Sequence, residues 1–330
     1  MMATLEFEKP IVELIEKRRE LEQLAKVHGR DYSPEIAIIS KNIQKLQKSI
    51  FKNLSPWQIT QLSRHPDRPY CLDYIQKIFT DWFEVHGDRM GGEDGSLICG
   101  FGWLDSQRVC VLGQQKGRST KEKIFRNFGM PNPSGYRKAL RVMRLAERFR
   151  VPLVTFIDTP GAFPGVEAEN NGQCTAISDN LLAMSGLRIP TLSVVIGEGG
   201  SGGALAIGVT DWIIMLEYSV YSVISPESCA AILWKDGSEG ARAAELLKLT
   251  APDALQMGLI NEVVREPLGG AHRDADETAV KLGGVLRKRC QELMENFLKD
   301  ENAVLEARYK KWRATGVFET QKGAVAKASS

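Results

Sequence analysis

The chain has 330 residues, 43% of them apolar and 25% charged, with a formal net charge of +2. This is enough for one large domain with an appendage, or for two domains, and the composition is that of a soluble globular chain. A balanced charge gives no argument for nucleic acid or membrane binding. No apolar run approaches the roughly 20 residues of a membrane span, and the opening Met-Met-Ala-Thr-Leu-Glu lacks the basic and apolar regions of a secretory signal.

Residues 8–54 are rich in Glu, Lys, Leu and Ile, with Asp31-Tyr32-Ser33-Pro34 in the middle. Ile11, Leu14, Ile15, Leu21 and Leu24 follow helical spacing, and Ile36, Ile39, Ile43, Leu46 and Ile50 do so after the break. The pattern predicts a helical hairpin packed on the main body or on a partner. Residues 64–69 form a proline-bounded connection, and 72–85 read as one more helix. Strands are predicted at 97–104, 109–114, 153–157, 192–196, 212–216 and 220–224, with helices at 135–149, 167–184 and 225–234. This is an α/β pattern, but its strands come partly in pairs, as β-β-α, unlike a steady dinucleotide-type alternation. A long charged helical tail is predicted over 275–313, and 321–330 read as a frayed end.

The six cysteines, Cys71, Cys99, Cys110, Cys174, Cys229 and Cys290, form no C-x-x-C pair, and the four histidines do not cluster with them in sequence. No zinc site is expected, and dispersed thiols suit a reducing, cytosol-like compartment. Between residues 116 and 150 eleven Lys or Arg face two acids, Glu122 and Glu147. Such a run serves equally as a solvated helix face or as an anion-attracting surface. Lys116, Arg118, Lys121, Arg137 and Lys138 are its anion-binding candidates.

The strongest local signal is Gly197-Glu198-Gly199-Gly200-Ser201-Gly202-Gly203-Ala204, between an apolar strand and Leu205-Ala206-Ile207. So much glycine is costly in chain entropy. A strand, glycine turn and helix in that order aim free N–H groups and the positive helix end at one spot, which suits an oxyanion or phosphate. Gly197, Gly199 and Gly202 match G-x-G-x-x-G, but 203–210 leave room for only about two helical turns, too short for a Rossmann crossover. Gly199-Gly200-Ser201-Gly202-Gly203 also matches the G-x-S-x-G nucleophile elbow, yet His272 is the only later histidine and nothing marks it as a base. A phosphate-binding loop is excluded, because no Lys-Ser/Thr follows the glycines. A second segment, Asp158-Thr159-Pro160-Gly161-Ala162-Phe163-Pro164-Gly165, makes a rigid loop after a strand, either a structural turn or a ligand loop. A third, Thr250-Ala251-Pro252-Asp253-Ala254 followed by 257–264, is a helix cap, a short helix ending at Gly258 and an apolar strand.

Together these segments resemble the crotonase superfamily, and more closely the alpha subunit of the carboxyltransferase component of multi-subunit acetyl-CoA carboxylase, of bacterial or plastid type. The similar stretches are Gln115-Lys116-Gly117-Arg118 with Thr120-Lys121-Glu122-Lys123, Asn127-Phe128-Gly129-Met130, Gly135-Tyr136-Arg137-Lys138-Ala139-Leu140, 155–165, 195–207, Tyr221-Ser222-Val223-Ile224-Ser225-Pro226-Glu227 and Pro267-Leu268-Gly269-Gly270-Ala271-His272-Arg273. They run in order and spacing from about residue 7 to 273. The resemblance implies a crotonase-like (ClpP/crotonase) fold of repeated β-β-α units. It divides the chain into an N-terminal helical region (1–70), a carboxyltransferase domain (71–273) and a C-terminal helical tail (274–330).

The resemblance also implies the chemistry. Carboxybiotin on a biotin carboxyl carrier protein would give its carboxyl group to acetyl-CoA, yielding malonyl-CoA for fatty-acid synthesis. Gly202 and Gly203 would offer backbone N–H groups to the biotin ureido oxygen, Gly199, Gly200 and Ser201 would complete the turn, and Gly161, Ala162, Phe163 and Gly165 would shape the biotin pocket. No metal would be bound by this chain. A beta subunit, expected to bind zinc, would supply a second oxyanion hole and most of the acetyl-CoA site. Biotin carboxylase would spend the ATP. An α2β2 heterotetramer in the cytoplasm, or in the stroma if plastid-encoded, is expected. Where many relatives have Glu-Arg-Gly-Gln after the proline-glycine loop, this chain has Glu169-Asn170-Asn171-Gly172-Gln173, so Asn171 stands in place of an arginine. Cys174 and Thr175 replace the usual small polar and acidic pair. Two other readings are a crotonase-type enoyl-CoA hydratase or isomerase acting alone, with Glu167, Glu169 and Glu198 as its carboxylates, and a non-catalytic scaffold built on helices 9–54.

Overall fold

A computed structural model describes residues 4–28 and 30–316; the frayed end expected at 321–330 lies outside them. Helices α1 (Lys9–His28) and α2 (Ser33–Lys52) form the expected hairpin. Pro34 in the first turn of α2 lacks only an N–H that has no helical partner there anyway. Ile11, Ile43 and Phe51 pack with Leu62 of α3 (Pro56–Ser63) and with Tyr218, which joins the hairpin to the main body. Ser55 caps α3 by accepting the Gln58 N–H, while the Gln58 side chain accepts from the Ser55 N–H.

The single helix expected over 72–85 is instead α4 (Cys71–Ile78) followed by strand β1 (Thr80–Glu84). The run Phe79-Thr80-Asp81-Trp82-Phe83 is aromatic and β-branched, and it finds an antiparallel partner in β2 (Leu97–Leu104). β2 pairs antiparallel with β3 (Gln107–Gln114). After α5 (Thr120–Phe125) and α6 (Pro133–Arg148), the chain enters β4 (Leu153–Thr159), parallel to β3. The helix expected at 167–184 is two, α7 (Val166–Asn170) and α8 (Gln173–Gly186), broken where Gly172 takes φ +80°. Next come β5 (Thr191–Gly200), α9 (Ser201–Leu205), β6 (Trp212–Leu216), β7 (Val220–Ser222), α10 (Pro226–Trp234), α11 (Gly240–Leu247), α12 (Ala251–Gln256) and β8 (Glu262–Val264). The tail is α13 (Ala275–Lys299) and α14 (Glu301–Arg313). Asp300 breaks it, leaving helical φ/ψ and accepting the Ala303 N–H with its side chain to start the second helix.

The sheet order is β1-β2-β3-β4-β5-β6-β8, antiparallel through β3 and parallel beyond, with β7 pairing the far end of β5. Both faces are buried, so the central strands read as continuous apolar runs. Alternate residues feed two cores. Cys110, Leu112, Leu153 and Ile157 face α6 and α8, while Val109, Val111, Val154 and Phe156 face α4 and α13.

Candidate functional site

Strands β4 and β5 are parallel neighbours, with Thr159 opposite Gly199. The proline-glycine loop and the glycine turn therefore leave the sheet side by side, at strand carboxyl ends, where α/β folds place ligands. The two loops touch backbone to backbone. A Cβ on Gly203 would lie 2.5 Å from Ala162 N and Gly161 C, and one on Gly200 would lie 2.2 Å from the Pro160 carbonyl oxygen. Side chains at these positions would force the loops apart. Gly202 is different: its nearest neighbour would be Ile177 at 3.8 Å.

Ser201, between them, takes φ +54°, a left-handed conformation that turns the chain sharply from strand into helix. Helix α9 is only five residues long, which rules out a dinucleotide crossover. Its first N–H groups have no intrahelical acceptor by construction. No hydrogen bond runs from the Gly202 or Gly203 N–H to another described group.

Two cavities meet at this turn. One, of about 680 Å³, is walled by Pro160, Gly161, Ala162 and Phe163 of the loop, by Cys174 and Ile177 of α8, and by Ser201 and Gly202. The other, of about 280 Å³ and largely apolar, is walled by Ser201, Gly202, Leu205, Tyr221, Leu259 and Trp312. Of the remaining loop and turn residues named from the sequence, Gly203 is buried against the loop, Gly199 backs onto the Tyr221 ring, and Gly165 packs on Phe163.

A web of buried charge underlies the turn. Lys116 Nζ lies 2.8 Å from Asp158 Oδ1 and 2.7 Å from Glu198 Oε2. Asp158 Oδ1 also accepts the Glu198 N–H at 3.0 Å. Arg64 Nε donates to Glu198 Oε1 at 2.6 Å and its Nη atoms reach Glu227. Burial raises the Asp158 carboxyl despite Lys116. Burial also acts to raise Glu198, but Lys116 and Arg64 outweigh it and hold that carboxyl below its ordinary range. Glu198 is thus tied up in ion pairs. Glu169 lines the larger cavity and Glu167 a neighbouring one.

The basic candidates are mostly committed elsewhere. Arg118 pairs with Asp73 and stacks on Tyr70, Arg137 pairs with Asp88, and Lys138 is buried against Glu93 and the Asp94 carbonyl. Of the five, Lys121 alone has no ion pair among the described residues. Asn171 presents its carbonyl to Arg137 Nη1 at 3.1 Å. The ion-pair partners of Arg64, Asp158 and Glu198 beneath the turn leave no mark in the sequence, since a buried ion pair has no periodicity.

No histidine lines either cavity, so the strand–turn–helix at Ser201 lacks the base of a hydrolase elbow. His272 instead stacks on His65, ring centroids 3.9 Å apart and planes 17° apart, beside Glu8. Burial holds the His272 imidazole down, at about 3. These three side chains are the one group among the described residues with ligand atoms close enough for a metal. An imidazole lone pair lies in the ring plane, however. An ion held in the plane of one stacked ring would sit well outside the plane of the other, so the pair is not disposed to share one.

A mostly parallel sheet widened by three antiparallel strands, with a glycine turn at its carboxyl edge, is a crotonase-like fold. Solved structures agree on the fold. The transcarboxylase 12S structure with methylmalonyl-coenzyme A and methylmalonic acid bound superposes with a TM-score of 0.54 at 21% identity, over 68% of this chain and 42% of that one. A Pseudomonas malonate decarboxylase hetero-tetramer in complex with coenzyme A gives 0.56 at 16% identity, over 73% and 97%. In sequence, residues 4–316 match the family described as acetyl co-enzyme A carboxylase carboxyltransferase-like. The chain is 53% identical over 314 residues to the acetyl-coenzyme A carboxylase carboxyl transferase subunit alpha of Geobacter metallireducens, covering 95% of this chain and 98% of that protein. It is 54% identical to the subunit of the same name from Syntrophotalea carbinolica, with the same coverage. The chain belongs to the acetyl-CoA carboxylase carboxyltransferase family.

Proposed function

We propose that this chain, together with a beta subunit, transfers the carboxyl group of carboxybiotin, carried on a biotin carboxyl carrier protein, to acetyl-CoA, giving malonyl-CoA. The carrying observation is the pair of unpaired N–H groups at Gly202 and Gly203, in a turn that stands between two cavities. Loss of the carboxyl group leaves negative charge on the ureido oxygen of biotin. Preorganised N–H donors stabilise such charge without reorganising at the moment of reaction. The ureido nitrogen then takes the methyl proton of acetyl-CoA, so no protein base is needed. This fits a turn whose own carboxylate, Glu198, is neutralised by Lys116 and Arg64.

In this reading the loop from Gly161 to Phe163 walls the biotin side. The beta subunit completes the acetyl-CoA site and carries the second oxyanion hole and the zinc. An α2β2 assembly in the cytoplasm suits this division of labour. Among the described residues no helix is long and apolar enough to cross a membrane.

Reconstitution tests the reading. Malonyl-CoA should appear only when the beta subunit and carboxybiotin are added. Enoyl-CoA hydration by the chain alone would overturn it in favour of a stand-alone crotonase. Gly202→Pro removes one donor and should cut kcat by about 10²-fold or more. Gly202→Ala, which keeps the N–H and has room for its methyl group, should remain active.

A further inference from the structure

We propose that Gln114 is a positioning residue for carboxyl transfer: its side-chain amide holds the Gly203 carbonyl and so restrains the donor turn. Gln114 is the last residue of β3 and is fully buried. Both halves of its amide are used. Oε1 accepts the Asp158 N–H at 3.1 Å, and Nε2 donates to the Gly203 carbonyl at 3.0 Å. One side chain thus spans the end of β4, where the proline-glycine loop begins, and the glycine turn after β5.

The turn needs such a brace. Gly203 can carry no side chain, because the loop backbone lies 2.5 Å from where its Cβ would be. Without a side chain its backbone torsions are poorly restricted. The carbonyl lies in the peptide plane that follows Gly203, so holding it restrains the torsions of Gly203, which link that plane to the one carrying the Gly203 N–H. The two bonds together tie the Gly203 carbonyl to the Asp158 N–H through one side chain, so the glycine turn and the start of the proline-glycine loop share a brace. Lys116 completes the frame by holding Asp158 and Glu198 together, one on each strand. In this role Lys116 is a strut between the two strands.

Gln114→Glu gives a test that simple loss of packing cannot imitate. The carboxylate keeps the shape and can still accept the Asp158 N–H. It cannot donate, so two oxygens face each other at Gly203. Protonation restores an O–H donor and the original pattern. The charged groups around this point are Asp158 on β4, Glu198 on β5, and the cations Lys116, Arg64 and Arg68; α9 contributes none. Burial beside Asp158 favours the protonated form of the new carboxyl as pH falls.

The inference rests on the donor-turn reading, so Gly202→Pro is assayed alongside it in the reconstituted complex. Gln114→Leu should lower kcat by about 10²-fold, the scale of a misplaced catalytic geometry, with KM for acetyl-CoA within about threefold of wild type. Assembly with the beta subunit and Tm serve as controls for folding. For Gln114→Glu, the kcat ratio to wild type should rise at least about tenfold from pH 8.5 to pH 6 as the donor returns. A flat ratio, a loss carried by KM, or near-normal kcat in Gln114→Leu overturns the proposal. If Gln114→Glu does not assemble, the kcat and KM of Gln114→Leu decide alone. Loss in Gly202→Pro with normal Gln114→Leu sinks only the role of Gln114. Full activity in Gly202→Pro sinks the donor turn and this inference with it.

Discussion

Ser201 sits at φ +54°, a backbone state that costs a non-glycine residue of order 1 kcal/mol or more. Its neighbours explain why the chain tolerates this, since the loops close on each other only with the turn so bent. Ser201→Ala should keep most of the activity, because the proposed chemistry uses the backbone N–H groups of the turn and not the hydroxyl. A hydrolase would lose everything with that hydroxyl, so a steady-state assay separates the two. Gly203→Ala, by contrast, drives a methyl group into the Gly161–Ala162 backbone. It should lower both kcat and Tm, whereas Gly202→Pro should lower kcat with little change in Tm. The glycine turn was visible in sequence because glycine density is a composition signal. Which glycine is open and which is wedged was not, because that depends on a loop forty residues away in the chain.

Helix α14 shows what an element adds to the site. Arg308 is almost wholly buried, with Nε and Nη2 on the Asp211 carboxylate and the Nη atoms on the carbonyls of Met184, Leu187 and Ile189. It locks α14 onto the end of α8 and so holds Trp312 against the smaller cavity. Arg308→Ala takes the guanidinium from the buried Asp211 carboxylate and should cost about 3–5 kcal/mol in urea unfolding, as for other broken buried pairs. Lys311 beside it donates to the Thr210 and Asp211 carbonyls and to Asn261. Burial, aided by Arg308 and opposed by Asp211, lowers its amine from 10.5 to about 8. Between those values the unfolded chain binds more protons than the folded one, so this group makes stability rise with pH there. The rise in Tm from pH 8 to pH 10 should be smaller in Lys311→Met than in wild type. The tail's helical character was plain from its charge and apolar spacing. Its break at Asp300 and its reach to the cavity were not, since neither leaves a mark on local periodicity.

Across the whole molecule, pairs distant in sequence hold the site's frame. Arg68, in the proline-bounded connection, donates to Glu266 through both Nη atoms and to the Ile196 carbonyl through Nε. Glu266 in turn accepts the N–H groups of Tyr218 and Ala271. Arg68→Met should therefore destabilise the fold by several kcal/mol, read in denaturant unfolding, because a buried carboxylate is left without its cation. The sequence by itself determined the α/β class, the helical hairpin and tail, the family and the two loops that meet at the site. Those features are written in short-range spacing and in unusual residue types. Only the tertiary structure decided that Lys116 and Arg64 serve the turn as struts, that Gln114 spans two loops, and that Trp312 reaches the smaller cavity. Each depends on parallel strands and a returning helix bringing remote residues within hydrogen-bond or van der Waals range. A side chain's partners across such a distance are set by packing and not by its neighbours in the chain.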